Sequence, residues 1–314
     1  MAVGIGAGGA VGIAPEAVQG TYLAPTKFVP IDSESMQYQQ DTVWRRPIRK
    51  TAEILGAIAG NAHVEGDLSF DATEDVVLYF LLASRTTCLK TGTASPGFTY
   101  TFTPTPAAVP VKTLSIAVER NSETFGYVGC VVSSFTFSIE DGALKMSVSI
   151  VGNNEASQAD LAGITWPTVI PFGAGAYKME IPTAAQVFDT DAFSFQVEDN
   201  AEPQYRIKDT GQGAQFTAFG ERSTTLSVER DFETRTEYDS FKSLTAKSIT
   251  LKATRSVNNS IEIITPAAII DTYELGLSGQ GDLIRGSVSY NGVVDAVGKS
   301  YSIIVKSQED VTVV

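Results

Sequence analysis

The chain has 314 residues, with 23 Lys and Arg against 36 Asp and Glu, a formal net charge of -13 and 43% apolar residues. At roughly 100–200 residues per domain this suggests two globular units, each with enough apolar residues for a core. The acidic balance is the opposite of what phosphate neutralisation needs, so tight nucleic-acid binding is disfavoured. The longest apolar run without glycine, Val76 to Ala83, falls far short of the ~18–20 residues that span a bilayer, so no membrane partner is expected.

In chain order, Met1 to Pro15 is uncharged and rich in Gly and Ala, without the positive region and apolar block of a signal peptide. It reads as the start of a flexible N-terminal arm over residues 1–26. Asp71-Ala72-Thr73-Glu74 resembles a capping box and opens the apolar run, which predicts one short buried helix. Phe98 to Phe102 and Leu114 to Glu119 alternate as strands do. Ser133 to Glu140 and Leu144 to Ile150 alternate around Asp141-Gly142, a strong hairpin signal. Loop-forming residues then dominate a linker over 153–190, with Trp166-Pro167, Gly173 and Pro182 among them.

Alternation resumes at Phe193 to Glu198 and Thr224 to Val228. Thr234-Arg235-Thr236-Glu237 resembles a second capping box, followed by Tyr238, Phe241 and Leu244 at helical spacing. Further strands are expected at Ser248 to Ala253, Ile261 to Ile264, Gly286 to Tyr290 and Tyr301 to Val305. The fold class is mainly β, a sandwich or barrel with few helices.

Catalytic chemistry finds little to work with. His63 is the only histidine, which excludes a two-His metal site. Cys88 and Cys130 form no Cys-x-x-Cys pair and read as buried free thiols. Glu140-Asp141 and Asp199-Asn200 suit turns better than paired acids. No catalytic, cofactor-binding or metal residues are assigned, and no cofactor is expected.

The order of elements recurs. Asp67 to Asp71 parallels Thr225 to Glu229 at an offset of 158, Gly142-Ala143-Leu144 parallels Gly281-Asp282-Leu283 at 139, and Ser147 to Gly152 parallels Ser287 to Gly292 at 140. The first copy is about 19 residues longer, around Ser84 to Pro110. The pattern reads as a tandem duplication of one small β-domain, residues 27–152 and 191–314.

Gly20 to Pro30 followed by Ser33-Glu34-Ser35 resembles the opening of tail tube proteins of long-tailed, non-contractile bacteriophages. The basic stretch Arg45-Arg46-Pro47-Ile48-Arg49-Lys50, the strand Ala62 to Phe70, Val131 to Glu140, Ala192 to Asn200 and Gly220-Glu221-Arg222 continue the likeness. The resemblance implies a structural virion protein, made in the host cytoplasm, whose subunits join sheet edges into rings stacked as a tube for DNA ejection. It implies as partners a tape measure protein, tail tip and terminator proteins, and DNA that passes without tight binding. Two tube domains per chain imply homotrimeric rings, with a hexamer as the runner-up. Arg45, Arg46, Arg49 and Lys50 are candidates for ring stacking. The competing class is a soluble two-domain β-sandwich module that binds carbohydrate or another ligand, with Tyr205, Asn200 and Gln204 as its candidate cluster.

Overall fold

The structure is a computed structural model that describes residues 9–50, 53–105, 112–121, 123–156, 161, 166–168, 170–182, 186–187, 190–206, 212–232, 235–276 and 284–312. The chain opens with strands β1 (Ala10–Pro15), β2 (Lys27–Val29), β3 (Ser33–Glu34), β4 (Gln37–Arg45) and β5 (Gly56–Asp71), then helix α1 (Glu74–Leu82). β6 (Thr86–Thr93), β7 (Gly97–Pro104), β8 (Leu114–Arg120), β9 (Glu123–Glu140) and β10 (Ala143–Gly152) complete the first half. The expected linker contributes β11 (Asn154–Ala156), β12 (Tyr177–Glu180) and β13 (Gln186–Val187). The second half holds β14 (Thr190–Glu198), β15 (Ala201–Gln204), β16 (Phe216–Phe219), β17 (Ser223–Asp231), helix α2 (Thr236–Ser243), β18 (Lys247–Ser256), β19 (Asn259–Leu275), β20 (Arg285–Gly292) and β21 (Ser302–Ser307).

The pairing repeats. In the first half β1, β8, β9, β10 and β5 are successive antiparallel neighbours, with β3 and β4 on the far edge of β5. In the second half β12, β18, β19, β20 and β17 follow the same order, with β14 on the far edge of β17. The irregularities repeat as well. The register skips Ser133 between β9 and β10 and Asp271 between β19 and β20, and it slips at the same place in β8–β9 and β18–β19. A bulge adds a residue to one strand and bends it, which lets β9 and β19, the longest strands in their halves, change partners along their length.

The ladders refine the sequence alignment. Val151 faces Glu65 and Asn291 faces Thr225, so β5 and β17 correspond at an offset of 160 where similarity of the strings gives 158. The two-residue slide keeps every side chain on its own face, because the strand period is two. The extra length of the first half is the β6–β7 hairpin, and β21 joins it. The second Gly-turn match, Gly281-Asp282-Leu283, lies outside the described residues.

The halves join without a break. β14 pairs with β9, Ser194 to Glu198 against Ser138 to Ser134, so one sheet runs β4–β5–β10–β9–β14–β17–β20–β19 across the whole chain. One buried cluster extends from Val11 and Ile13 to Ile303 and Val305. Phe135 of β9 meets Phe195 of β14 at 6.4 Å and Tyr301 at 6.2 Å between centroids, and all three are at most 1% exposed. Each such side chain contributes roughly 1.5–3 kcal/mol of burial. Among the described residues this sheet does not close on itself.

Two local expectations change. Ala10–Pro15 is not a loose arm but a strand between β2 and β8, with Val11, Ile13 and Ala14 fully buried. Four apolar side chains in six residues gain more from the core than a Gly/Ala-rich chain loses in entropy. The first capping box does not form. α1 starts at Glu74 itself, its N-cap Thr73 makes no side-chain cap bond, and the Glu74 carboxylate accepts from Arg255 and Asn259. Thr234 of the second box lies outside the described residues.

Candidate functional site

The long sheet has one dry and one wet face, and the sequence alternation decides which is which. Val64, Leu68 and Phe70 of β5, Phe135 and Phe137 of β9, Phe193, Phe195 and Val197 of β14, and Leu226 and Val228 of β17 point into the core. Their alternate neighbours form rows on the other face. Lys145, Ser138, Ser194, Ser227, Ser289 and Thr272 stand in one register across six strands, and Ser147, Thr136, Gln196 and Thr225 in the next.

Carboxylates lie among these hydroxyls. Glu65, Asp67, Asp71, Glu198, Glu229 and Glu274 are on the wet side, against Lys145 and Arg285, and both of those cations are already paired. Lys145 Nζ is 2.7 Å from Asp32, and Arg285 Nε is 3.4 Å from Asp231. Ser149 donates to Asp67 at 2.6 Å, and Gln196 donates to Glu198 at 2.7 Å. The face offers hydrogen bonds and net negative charge, with no free cation among these residues to hold a phosphate.

Buried polar groups rivet the two halves. Asp199 is 1% exposed and accepts from Arg222 at 2.6 Å, with Arg85 of the first half at 3.8 Å. Burial raises its pKa against the pull of Arg222 and Arg85. Glu74 is fully buried between α1 and the β18–β19 turn, and burial raises its pKa against Asn259 and Arg255. The C-terminal segment is pinned to the first half: Tyr79 donates to Glu309 at 3.1 Å, Lys27 pairs with Glu309 at 3.0 Å, and Tyr100 donates to the Glu309 carbonyl at 2.7 Å. No motif signals these contacts, because their partners are distant in sequence.

The four basic candidates lie along one stretch of backbone. Arg45 ends β4, opposite Gly56, while Arg46, Arg49 and Lys50 follow in the turn toward β5, and all four are exposed. The strand runs as far as Arg45, because Thr42, Val43 and Trp44 pair with Ala59, Ile58 and Ala57. Val43, Trp44, Ile48, Ile54 and Ile58 are exposed on the same hairpin. It is a projecting ribbon, apolar and basic at once.

The carbohydrate candidates do not form one open cluster. The Tyr205 hydroxyl is 2.9 Å from His63 Nδ1, Asn200 donates to the Glu221 carbonyl at 2.8 Å, and Gln204 pairs with Phe216 in the β15–β16 hairpin. Cys88 and Cys130 are free thiols whose pKa values burial pushes up, that of Cys88 to about 12. Among the described residues no three His, Cys, Asp or Glu side chains are grouped to hold a metal, and no helix is long and apolar enough to cross a membrane.

Fold and face together define a mainly β protein with a continuous open sheet, one side core and the other hydroxyl and carboxylate. The family model of the phage tail tube protein matches residues 6–292, and the chain belongs to that family. It is thus a structural component of a phage tail. Comparison with curated proteins gives no match.

Proposed function

We propose that the chain is a duplicated tube subunit, residues 27–152 and 191–314 around the segment 153–190, three copies of which close into a ring. Rings stack into the tail tube of a long-tailed phage, and the hydroxyl and carboxylate face lines the lumen through which the genome is ejected. The observation that carries this is the open sheet of eight strand positions with that face. Three such sheets joined edge to edge give a barrel of twenty-four. At ~4.8 Å between strands and a tilt of ~35–45° its backbone diameter is roughly 45–50 Å, ample for a double helix once side chains are in place. Closure also removes the two strand edges that would otherwise aggregate. A wall of like charge lets DNA pass without retaining it. Arg45, Arg46, Arg49 and Lys50 serve the contact between rings, kept from the DNA path. The tape measure, tip and terminator proteins are its partners in the virion.

Electron microscopy of the purified protein tests the reading. Rings or hollow tubes with three chains in each cross-section are expected. Six chains per ring would return the hexamer, and a protein that stays monomeric at high concentration would remove the tube altogether.

A further inference from the structure

The joint between the halves is a template for the joint between chains. Inside the chain, the edge of β9 docks on the edge of β14 and buries Phe135 and Phe137. By the matched ladders, β9 corresponds to β19 at an offset of 138 and β14 to the β3–β4 rail at 159. Those two counterparts are the ends of the long sheet, and each has an edge that no strand of the described residues covers. Leu275, in the place of the fully buried Phe137, is 44% exposed.

We infer that the edge of β19 from Thr272 to Leu275 pairs antiparallel with the β3–β4 edge of a second copy of this chain. The copied register sets Met36 against Leu275, Gln37 against Glu274, Tyr38 against Tyr273 and Gln39 against Thr272. The face alternation is kept: Met36, Tyr38, Tyr273 and Leu275 go to the dry side, and Gln37, Gln39, Thr272 and Glu274 continue the hydroxyl and carboxylate rows. Beside the β3 edge lies a groove of 860 Å³ lined by Ala10, Val11, Ile31, Val118, Arg120 and Trp166 among others. The second half has its counterpart at β12, where Tyr177 donates to the Gly142 carbonyl of the β9–β10 turn at 3.2 Å. The groove is the seat for the end of the arriving β19.

The edge is guarded in the lone chain. The Met36 amide donates to Glu34 at 3.1 Å, its carbonyl accepts from Arg120 and from the Tyr127 hydroxyl at 3.2 Å, and Arg120 is held on Glu34 by two bonds of 2.8 and 2.7 Å. Side chains that satisfy an edge suppress promiscuous pairing, so the Glu34–Arg120 pair turns aside when the correct strand arrives. The contact is heterologous, head to tail, and its repetition generates a ring or a filament.

The inference rests on the tube reading, and crosslinking separates the two. Gln37 and Glu274 form the direct pair on the wet face, the counterpart of Gln196 and Thr136, which stand opposite each other in the chain. The double variant Gln37→Cys/Glu274→Cys should give covalent trimers on mild oxidation. Within one chain the two sites are seven strand spacings apart, roughly 33 Å, beyond any disulfide. A mixture of the two single variants should give dimers and neither variant alone any, while Gln196→Cys/Thr136→Cys closes within the chain as the positive control. Leu275→Asp, at an exposed position, should abolish rings with an unchanged melting temperature. Wild-type tubes together with no Gln37–Glu274 crosslink would overturn this register and leave the tube standing. Dimers from one single variant alone would also overturn it, as a symmetric contact. Neither tubes nor crosslinks from the wild type and the variant would bring down the tube reading with it.

Discussion

Glu74 shows how a residue legible as one thing becomes another when folded. Its spacing from Asp71 suggests a cap, yet it opens α1 and reaches across the seam to Arg255 and Asn259, with Oε2 buried and unpartnered. Burial therefore raises its pKa above the ordinary 4.5. A raised folded value means that the carboxyl favours folding below the ordinary pKa and loses that contribution as pH rises through the raised one. The wild type should gain stability as pH falls from 7 toward 4.5, and Glu74→Gln should flatten that gain. Melting temperatures of both proteins across that window decide it, and equal slopes would remove the seam carboxyl as the cause. Asp199 behaves alike: Asp199-Asn200 reads as a turn, and Asn200 has the positive φ of 46° that turns use, but Asp199 is a buried rivet whose Arg85 partner no local pattern announces.

At the scale of elements, the two helices diverge from the symmetry that predicts them. Val76 to Leu82 of α1 are all buried, whereas α2 buries none of its residues. Leu244, expected on the helical stripe with Tyr238 and Phe241, lies past the helix as a left-handed C-cap at φ 50°, 65% exposed. α1 packs against β6 of the insertion and against β21 and β19, whereas α2 packs chiefly against β19. The β4–β5 ribbon is the other informative element. Reversing Arg45 and Arg46 to Glu should weaken ring stacking, read as shorter tubes by microscopy, and leave the melting temperature within about 1 °C, since exposed charges contribute little to the fold. Shortening should also appear in the wild type as salt rises above physiological strength, where exposed pairs are screened over ~8 Å. Tubes of normal length from the reversed variant would free the ribbon from any stacking role.

For the whole molecule, the wet face is the quantity to perturb. Ser194→Lys and Ser227→Lys together place two cations in the middle of the hydroxyl row, on neighbouring strands in direct register. Both sites face solvent, so folding should persist. If that face meets DNA, assembled rings of the variant should retain duplex DNA in a gel-shift assay at low salt and release it at high salt, while the wild type retains none. Absence of retention by intact variant rings would place the lumen on another surface.

The sequence by itself determined most of the strands, the Asp141-Gly142 turn and the buried helix, because each rests on local periodicity or on side chains that fit one backbone state. Asp141 and Gly142 both take positive φ, 50° and 76°, as that turn requires. Tertiary structure alone decided that the halves share one core, that Ala10–Pro15 is a strand, that β5 and β17 correspond two residues away from their string match, and which hydroxyls stand in one row. Register is set by pairing between strands far apart in the chain, and a shift of two leaves the hydrophobic pattern unchanged, so no single strand's sequence carries that information.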